Sequence, residues 1–159
     1  MTWRDAGLEG PFAGRIEEAV ANHDKIFAST YPGLLGIKIV EASPGHAIAT
    51  VDITKDLLHP GGAVHGGAVA SLGDTAAAWA TFTAIDDSKT HTTIEFKANF
   101  LRGASSGTLT AEATAIHKGR RTMVIDVRIT DEQGRLLSIM TVTQAIMSLA
   151  EGRPDQATT

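Results

Sequence analysis

At 159 residues the chain is long enough for one domain with a real core. Its 43% apolar and 20% charged residues are ordinary for a globular protein, and a net charge of −4 gives no footprint for nucleic acid. The absence of cysteine removes disulfides, thiolate nucleophiles and cysteine-ligated zinc, and it fits a reducing, cytoplasmic setting.

Gly7, Gly10, Pro11 and Gly14 predict a loose leader over 1–14. Its first residues lack the basic region and apolar run of a secretory signal. From Arg15 to Ser29, Ile16, Ala19, Val20, His23 and Phe27 recur at helical spacing, and Tyr31-Pro32-Gly33 is expected to stop that helix. Residues 36–42 and 46–53 alternate as two strands joined at Pro44-Gly45. A glycine-rich loop follows from Asp56. Helix signals resume at Gly67 and run to about Ile85; Asp74 within this apolar stretch favours a buried helix over a membrane span. After the polar loop Asp86-Asp87-Ser88-Lys89, everything alternates as strands, around Ile94–Phe100, Leu109–Ala115, Ile125–Ile129 and 136–147. Their connections are hairpin-sized, so each strand is expected to pair with the next, antiparallel. The reading is an α+β domain, about six strands curling around one long helix, with 1–32 as leader and helix, 33–148 as the domain and 149–159 as a flexible tail.

Between His65 and Asp86, Asp74 is the only charged side chain. Burying a carboxylate is costly unless something compensates it. Asp74 therefore either faces solvent at a gap in the sheet or serves as base or nucleophile in a desolvated cleft. Gly66-Gly67 opens the same helix, where the first amides lack intrahelical partners and the dipole favours negative charge. The pair is either a tight turn or an oxyanion hole that a ligand approaches closely. Eight residues of helix separate Gly66 from Asp74, roughly 12 Å between α-carbons. The two cannot serve one carbonyl within one chain. They do so only if a two-fold dimer with antiparallel helices combines Gly66 of one subunit with Asp74 of the other.

The run His59-Pro-Gly-Gly-Ala-Val-His65-Gly-Gly followed by Asp74 resembles the hotdog-fold thioesterases of the PaaI-like, phenylacetate-degradation group. Thr93-Ile-Glu-Phe-Lys-Ala-Asn-Phe-Leu-Arg102 and Gly119-Arg120-Arg121 are similar to that group too, and the resemblance covers about 33–148. It implies a hotdog fold, a homodimer with interfacial sites, usually within a homotetramer, and hydrolysis of acyl-CoA. The Gly66 amide would polarise the thioester carbonyl, Asp74 would act as nucleophile or activate water, and Thr93 or its neighbour Thr92 would sit near that water. His59 departs from the Asn or Gln that the group commonly carries there. An imidazole is a pH-dependent donor or acceptor in that place. His65 is expected to brace the loop more than to act as base. No cofactor is implied beyond the CoA of the substrate.

Several other signals carry less. Gly103-Ala-Ser105-Ser-Gly107 matches G-x-S-x-G, but a strand follows it where a nucleophile elbow needs a helix, so a hairpin turn is expected. The spacing of His59, His65 and Asp74 fits no common zinc pattern, and no metal or phosphate-loop fingerprint is expected. Gly67, Arg102, Arg120 and Arg121 are candidate substrate-binding residues, the arginines because their forks suit CoA phosphates, although each also reads as a solvated turn residue. Trp79 and Phe82 either line an acyl pocket or pack the core. Two further readings stay open: a non-catalytic acyl-CoA-binding sensor, and a hydratase, for which the expected His/Asp or His/Glu loop is not found.

Overall fold

The computed structural model describes residues 16–86 and 88–149. The leader over 1–14, Asp87 and the tail beyond Leu149 lie outside the described residues. The helix predicted over 15–29 is split into α1 (Ile16–Ala21) and α2 (His23–Phe27). Asn22 interrupts it through its backbone angles (φ −108°, ψ 11°), while its own N–H and its side-chain amide both donate to the Glu18 carbonyl, at 3.0 and 2.8 Å. That helix ends at Phe27, ahead of Tyr31-Pro32-Gly33 as expected, and these residues open a separate further turn, α3 (Tyr31–Leu34). Proline is tolerated in the first turn because its missing N–H would have no helical partner.

Two strands, β1 (Lys38–Ser43) and β2 (His46–Asp52), lead through a 3-10 turn at Lys55–Leu57 to the long helix α4 (Gly66–Phe82). Then come β3 (Lys89–Phe100), β4 (Thr108–Lys118), β5 (Thr122–Thr130) and β6 (Leu136–Ser148). All pair antiparallel in one six-stranded sheet of order β1-β2-β4-β5-β6-β3. The α+β architecture, one helix wrapped by a curved antiparallel sheet, is therefore as read from the sequence.

One connection differs from expectation. β3 does not pair with β4; it pairs with β6 at the sheet's edge, and β4 lies between β2 and β5. The link 101–107 is thus a crossing and not a hairpin. Seven extended residues reach about 23 Å, enough to cross three strand spacings of about 4.8 Å each. Gly103-Ala-Ser105-Ser-Gly107 lies in this crossing, with Ser105 exposed and β4 directly after it.

The helix can lie close to the sheet because the strands beneath it present small side chains. Ala47, Ala49, Ala111 and Ala113 are fully buried. Gly73 is the helix's own concession, since a Cβ there would stand 2.3 Å from the Met140 sulfur. The end of α4 is tied to the β1–β2 turn by Thr83, whose hydroxyl donates to the Ser43 carbonyl at 2.7 Å. Trp79 is buried in an edge-to-face contact with Phe27, and Phe82 packs against Trp79. Both therefore have core partners. Among the described residues no helix is long and apolar enough to cross a membrane.

Candidate active site

The loop entering α4 is a small knot of backbone hydrogen bonds. His59 N–H donates to the Ala63 carbonyl, and Gly62 N–H donates to the His59 carbonyl, each at 2.9 Å. His59 folds its ring back so that Nδ1 accepts the Gly61 amide at 2.9 Å. A Cβ on Gly61 would lie 2.6 Å from that ring. His65 repeats the device at the helix start. Its backbone is extended (φ −67°, ψ 136°), and its Nδ1 accepts the Gly67 amide at 2.9 Å. An imidazole nitrogen here performs the capping usually done by a Ser or Asp oxygen. In both neutral rings Nδ1 is an acceptor, so the proton resides on Nε2 and each histidine retains one N–H to offer.

Capping Gly67 leaves the Gly66 amide as the first helical N–H with no acceptor among the described residues. It sits at the positive end of a 17-residue helix. A Cβ at Gly66 would meet the Phe100 ring at 3.3 Å, so glycine keeps this amide accessible beside the end of β3.

Asp74 lies two turns further along. Sheet and helix do not enclose α4 fully: Ala70, Ser71, Asp74 and Ala78 form a half-buried stripe at helical spacing. Ser71 donates to the Gly67 carbonyl at 2.8 Å and lies 3.2 Å from the Tyr31 hydroxyl, which brings α3 to the edge of the stripe. Asp74 Oδ1 accepts the Thr93 hydroxyl at 2.8 Å. Thr93 in turn accepts the side-chain amide of Gln144 at 3.0 Å. A bulge between Thr93 and Glu95 shifts the strand's phase, so Thr93 and Phe96 both share the helix-facing side while Ile94 is the extra residue. Thr92 is exposed and has no part in this contact.

Asp74 and Thr93 are thus in direct contact, and Gly66, Gly67, His59 and His65 form a separate group at the helix start. The arginines also divide. Arg102 follows β3 beside Leu137, its N–H 3.2 Å from the Leu137 carbonyl, whereas the Arg121 carbonyl accepts Ile146 N–H. Leu137 and Ile146 lie at opposite ends of β6, roughly 30 Å apart. All three arginines are exposed, with no ion pair among the described residues. Two surface cavities lie elsewhere. One, of about 380 Å³, is lined by Ala63, Ser105 and Asp131 among others, and one of about 220 Å³ by Phe27, Gly33 and Ile37. Neither reaches Asp74.

Gln144, Tyr31 and Ser71 were not singled out from the sequence. A signal for Gln144 existed: it is the one amide in the inward phase Ser138, Met140, Val142, Gln144, Ile146 of β6.

His91, two residues before Thr93, is largely buried against the Phe82 ring, and its Nδ1 has no hydrogen-bond partner among the described residues. Desolvation alone drives its pKa down to about 4. Asp131 has the opposite structural setting. Burial raises its carboxyl pKa, but hydrogen bonds from the Arg135 backbone and guanidinium and from Gln133 N–H outweigh this and hold it below the ordinary value.

Residues 61–138 match the thioesterase superfamily. The chain is 35% identical over 112 residues to the 1,4-dihydroxy-2-naphthoyl-CoA hydrolase of Listeria monocytogenes, covering 70% of this chain and 91% of that one. The fold is similar to a thioesterase of Haemophilus influenzae, with TM-score 0.80, 27% identity and coverage of 85% of this chain and 94% of that one. It is also similar to the Escherichia coli PaaI protein from the phenylacetic acid degradation operon, with TM-score 0.74, 27% identity and coverage of 83% and 95%. A carboxylate on the wrapped helix, a free amide at that helix's start and these relatives lead to one conclusion: the chain belongs to the thioesterase superfamily and is a thioester hydrolase of the hotdog fold.

Proposed function

We propose that the protein hydrolyses acyl-CoA thioesters at sites built from two subunits. The observation that carries this is the separation of the two half-sites. The free Gly66 amide and the Thr93-bound Asp74 carboxylate lie about 12 Å apart on one straight helix, too far to act on one carbonyl. The β3 edge supports a two-fold partner. It is a 12-residue edge strand whose unpaired edge an isolated chain would have to defend against aggregation, and Ile94 and Phe96, out of phase across the bulge, stand 58% and 45% exposed along it. Antiparallel pairing of β3 with its own copy continues the sheet and sets the two α4 helices side by side in opposite directions. The half-buried stripe around Asp74 is then covered by the partner's helix start. The same operation brings Arg102 of one subunit towards Arg120 and Arg121 of the other, giving a basic rim for CoA phosphates. The family resemblance further implies that such dimers pair into a tetramer.

In this arrangement the thioester oxygen accepts the Gly66 N–H of one subunit, reinforced by the helix dipole, and that donor strengthens as negative charge develops on the oxygen. The partner's Asp74, with one oxygen held by Thr93, has the other free. It either removes a proton from an attacking water or attacks the carbonyl itself to give an anhydride that water then cleaves. In both routes the C–S bond breaks and the electron pair leaves with the CoA sulfur. The Nε2–H groups of His59 and His65 are donors available to substrate or water.

The test is free-thiol release from a panel of aromatic and medium-chain acyl-CoA thioesters by wild type and Asp74→Asn. The reading requires turnover by the wild type and a loss of at least a hundredfold in the variant. Turnover that survives the substitution overturns the role of Asp74. Tight acyl-CoA binding by the wild type without thiol release replaces hydrolysis by a binding role.

A further inference from the structure

We propose that Gln144 is a positioning residue that fixes the direction in which Thr93 spends its single hydroxyl proton, and thereby holds Asp74 in its reactive orientation. This rests on the reading of Asp74 as base or nucleophile. Thr93 and Gln144 are register partners on β3 and β6, and the bulge immediately after Thr93 turns its side chain under the helix. A threonine hydroxyl has one proton and two lone pairs, whereas an amide nitrogen only donates and a carboxylate only accepts. With the Gln144 N–H seated on one lone pair of Thr93 at 3.0 Å, the remaining proton goes to Asp74 at 2.8 Å. The chain Gln144 → Thr93 → Asp74 runs one way, and each donor polarises the next. One carboxylate oxygen is thereby fixed, and the other is left for the substrate or water.

Packing gives no reason for this glutamine. It is fully buried between Val142 and Ile146, with Ser138 the other polar residue in that inward phase of β6, and its Oε1 has no hydrogen-bond partner among the described residues. An amide with one half unsatisfied in a core is worse for stability than a methionine of similar shape. A residue that lowers stability where it sits, and whose one bond leads to Asp74, is explained by what that bond does.

The experiment compares the full-length protein with Gln144→Met, Gln144→Leu, Thr93→Val and the Gln144→Met/Thr93→Val double variant, recording kcat, KM and thermal midpoint on one acyl-CoA substrate. Gln144→Met keeps the volume and removes the donor. Gln144→Leu removes the donor with a branched apolar side chain instead. Each single variant is expected to lose about tenfold or more in kcat with KM within about twofold. The double variant should be no slower than the slower single, since both break one chain. Gln144→Met should melt no lower than wild type. Wild-type kcat in either Gln144 variant overturns the proposal, as do losses that multiply in the double variant. A loss of rate that comes only with a lowered melting point overturns it too, because that is a packing role. Asp74→Asn is run alongside. If it keeps turnover, the underlying reading of Asp74 fails. If it is inactive while the Gln144 variants run at the wild-type rate, only the positioning role fails.

Discussion

Burying His91 against Phe82, with a ring nitrogen that has no partner among the described residues, makes the fold sensitive to mild acid. Its pKa is about 4 in the folded chain against 6.5 for a free imidazole. Above pH 6.5 the ring is neutral in both states and contributes no pH dependence. Between pH 6.5 and 4 the unfolded chain takes up a proton that the folded chain refuses, so stability falls as pH falls. The full shift sets a ceiling of about 3 kcal/mol, reached below pH 4, and the part lost between pH 7.5 and 5.0 is about 2 kcal/mol. Urea unfolding at these two pH values, at one fixed protomer concentration, measures the loss in wild type and in His91→Leu. The other histidines titrate in both proteins and cancel. The wild type is expected to lose about 2 kcal/mol more than the variant over this interval. Parallel losses in the two proteins would refute the reasoning, because they would mean that His91 protonates as readily inside the fold as outside it.

Three further outcomes follow from named contacts. Gly73→Ala gains about 1 kcal/mol of helix propensity but drives a methyl into the Met140 sulfur, so a net destabilisation of about 1–3 kcal/mol is expected in urea titration. Gly66→Pro removes the proposed oxyanion donor at a position where the helix accepts proline, where His65 already has the extended backbone that proline requires before it, and where the Phe100 ring 3.3 Å from a new Cβ is exposed and free to shift. Its kcat should fall about 100- to 1,000-fold with little change in circular dichroism. Ile94→Lys on the β3 edge should shift the species seen by light scattering towards monomer and reduce specific activity with it.

The central helix and the strands were legible because their periodicities are local. α4 is bounded by Gly66 and by the polar residues that follow it, and β2 and β4 to β6 alternate plainly. What the local pattern does not carry is set mostly by contacts between residues distant in sequence. Nothing near Arg102 reveals that β3 leaves β4 to pair with β6, because the preference belongs to the closed sheet and not to the seven-residue link. The break in the helix over 15–29 is local, a departure of the Asn22 backbone angles from helical values that the apolar pattern does not register. At the site, Asp74 and Gly66 stood out because each violates its surroundings, a charge in an apolar helix and a paired glycine at a helix start. Thr93 was one of two adjacent threonines, and only the bulge decides which of them faces Asp74. Gln144 stayed hidden because its partner lies 51 residues away.

The claim that one site needs two chains is tested most directly by complementation. Asp74→Asn and Gly66→Pro subunits, carrying different affinity tags, are co-expressed and the mixed dimers isolated by sequential purification. In a shared site, the mixed dimer pairs the intact Gly66 of one chain with the intact Asp74 of the other. It should therefore recover about half the wild-type thiol release, although each parent homodimer is inactive. A mixed dimer no more active than its parents would contradict the account, because the two groups would then belong to one chain's site.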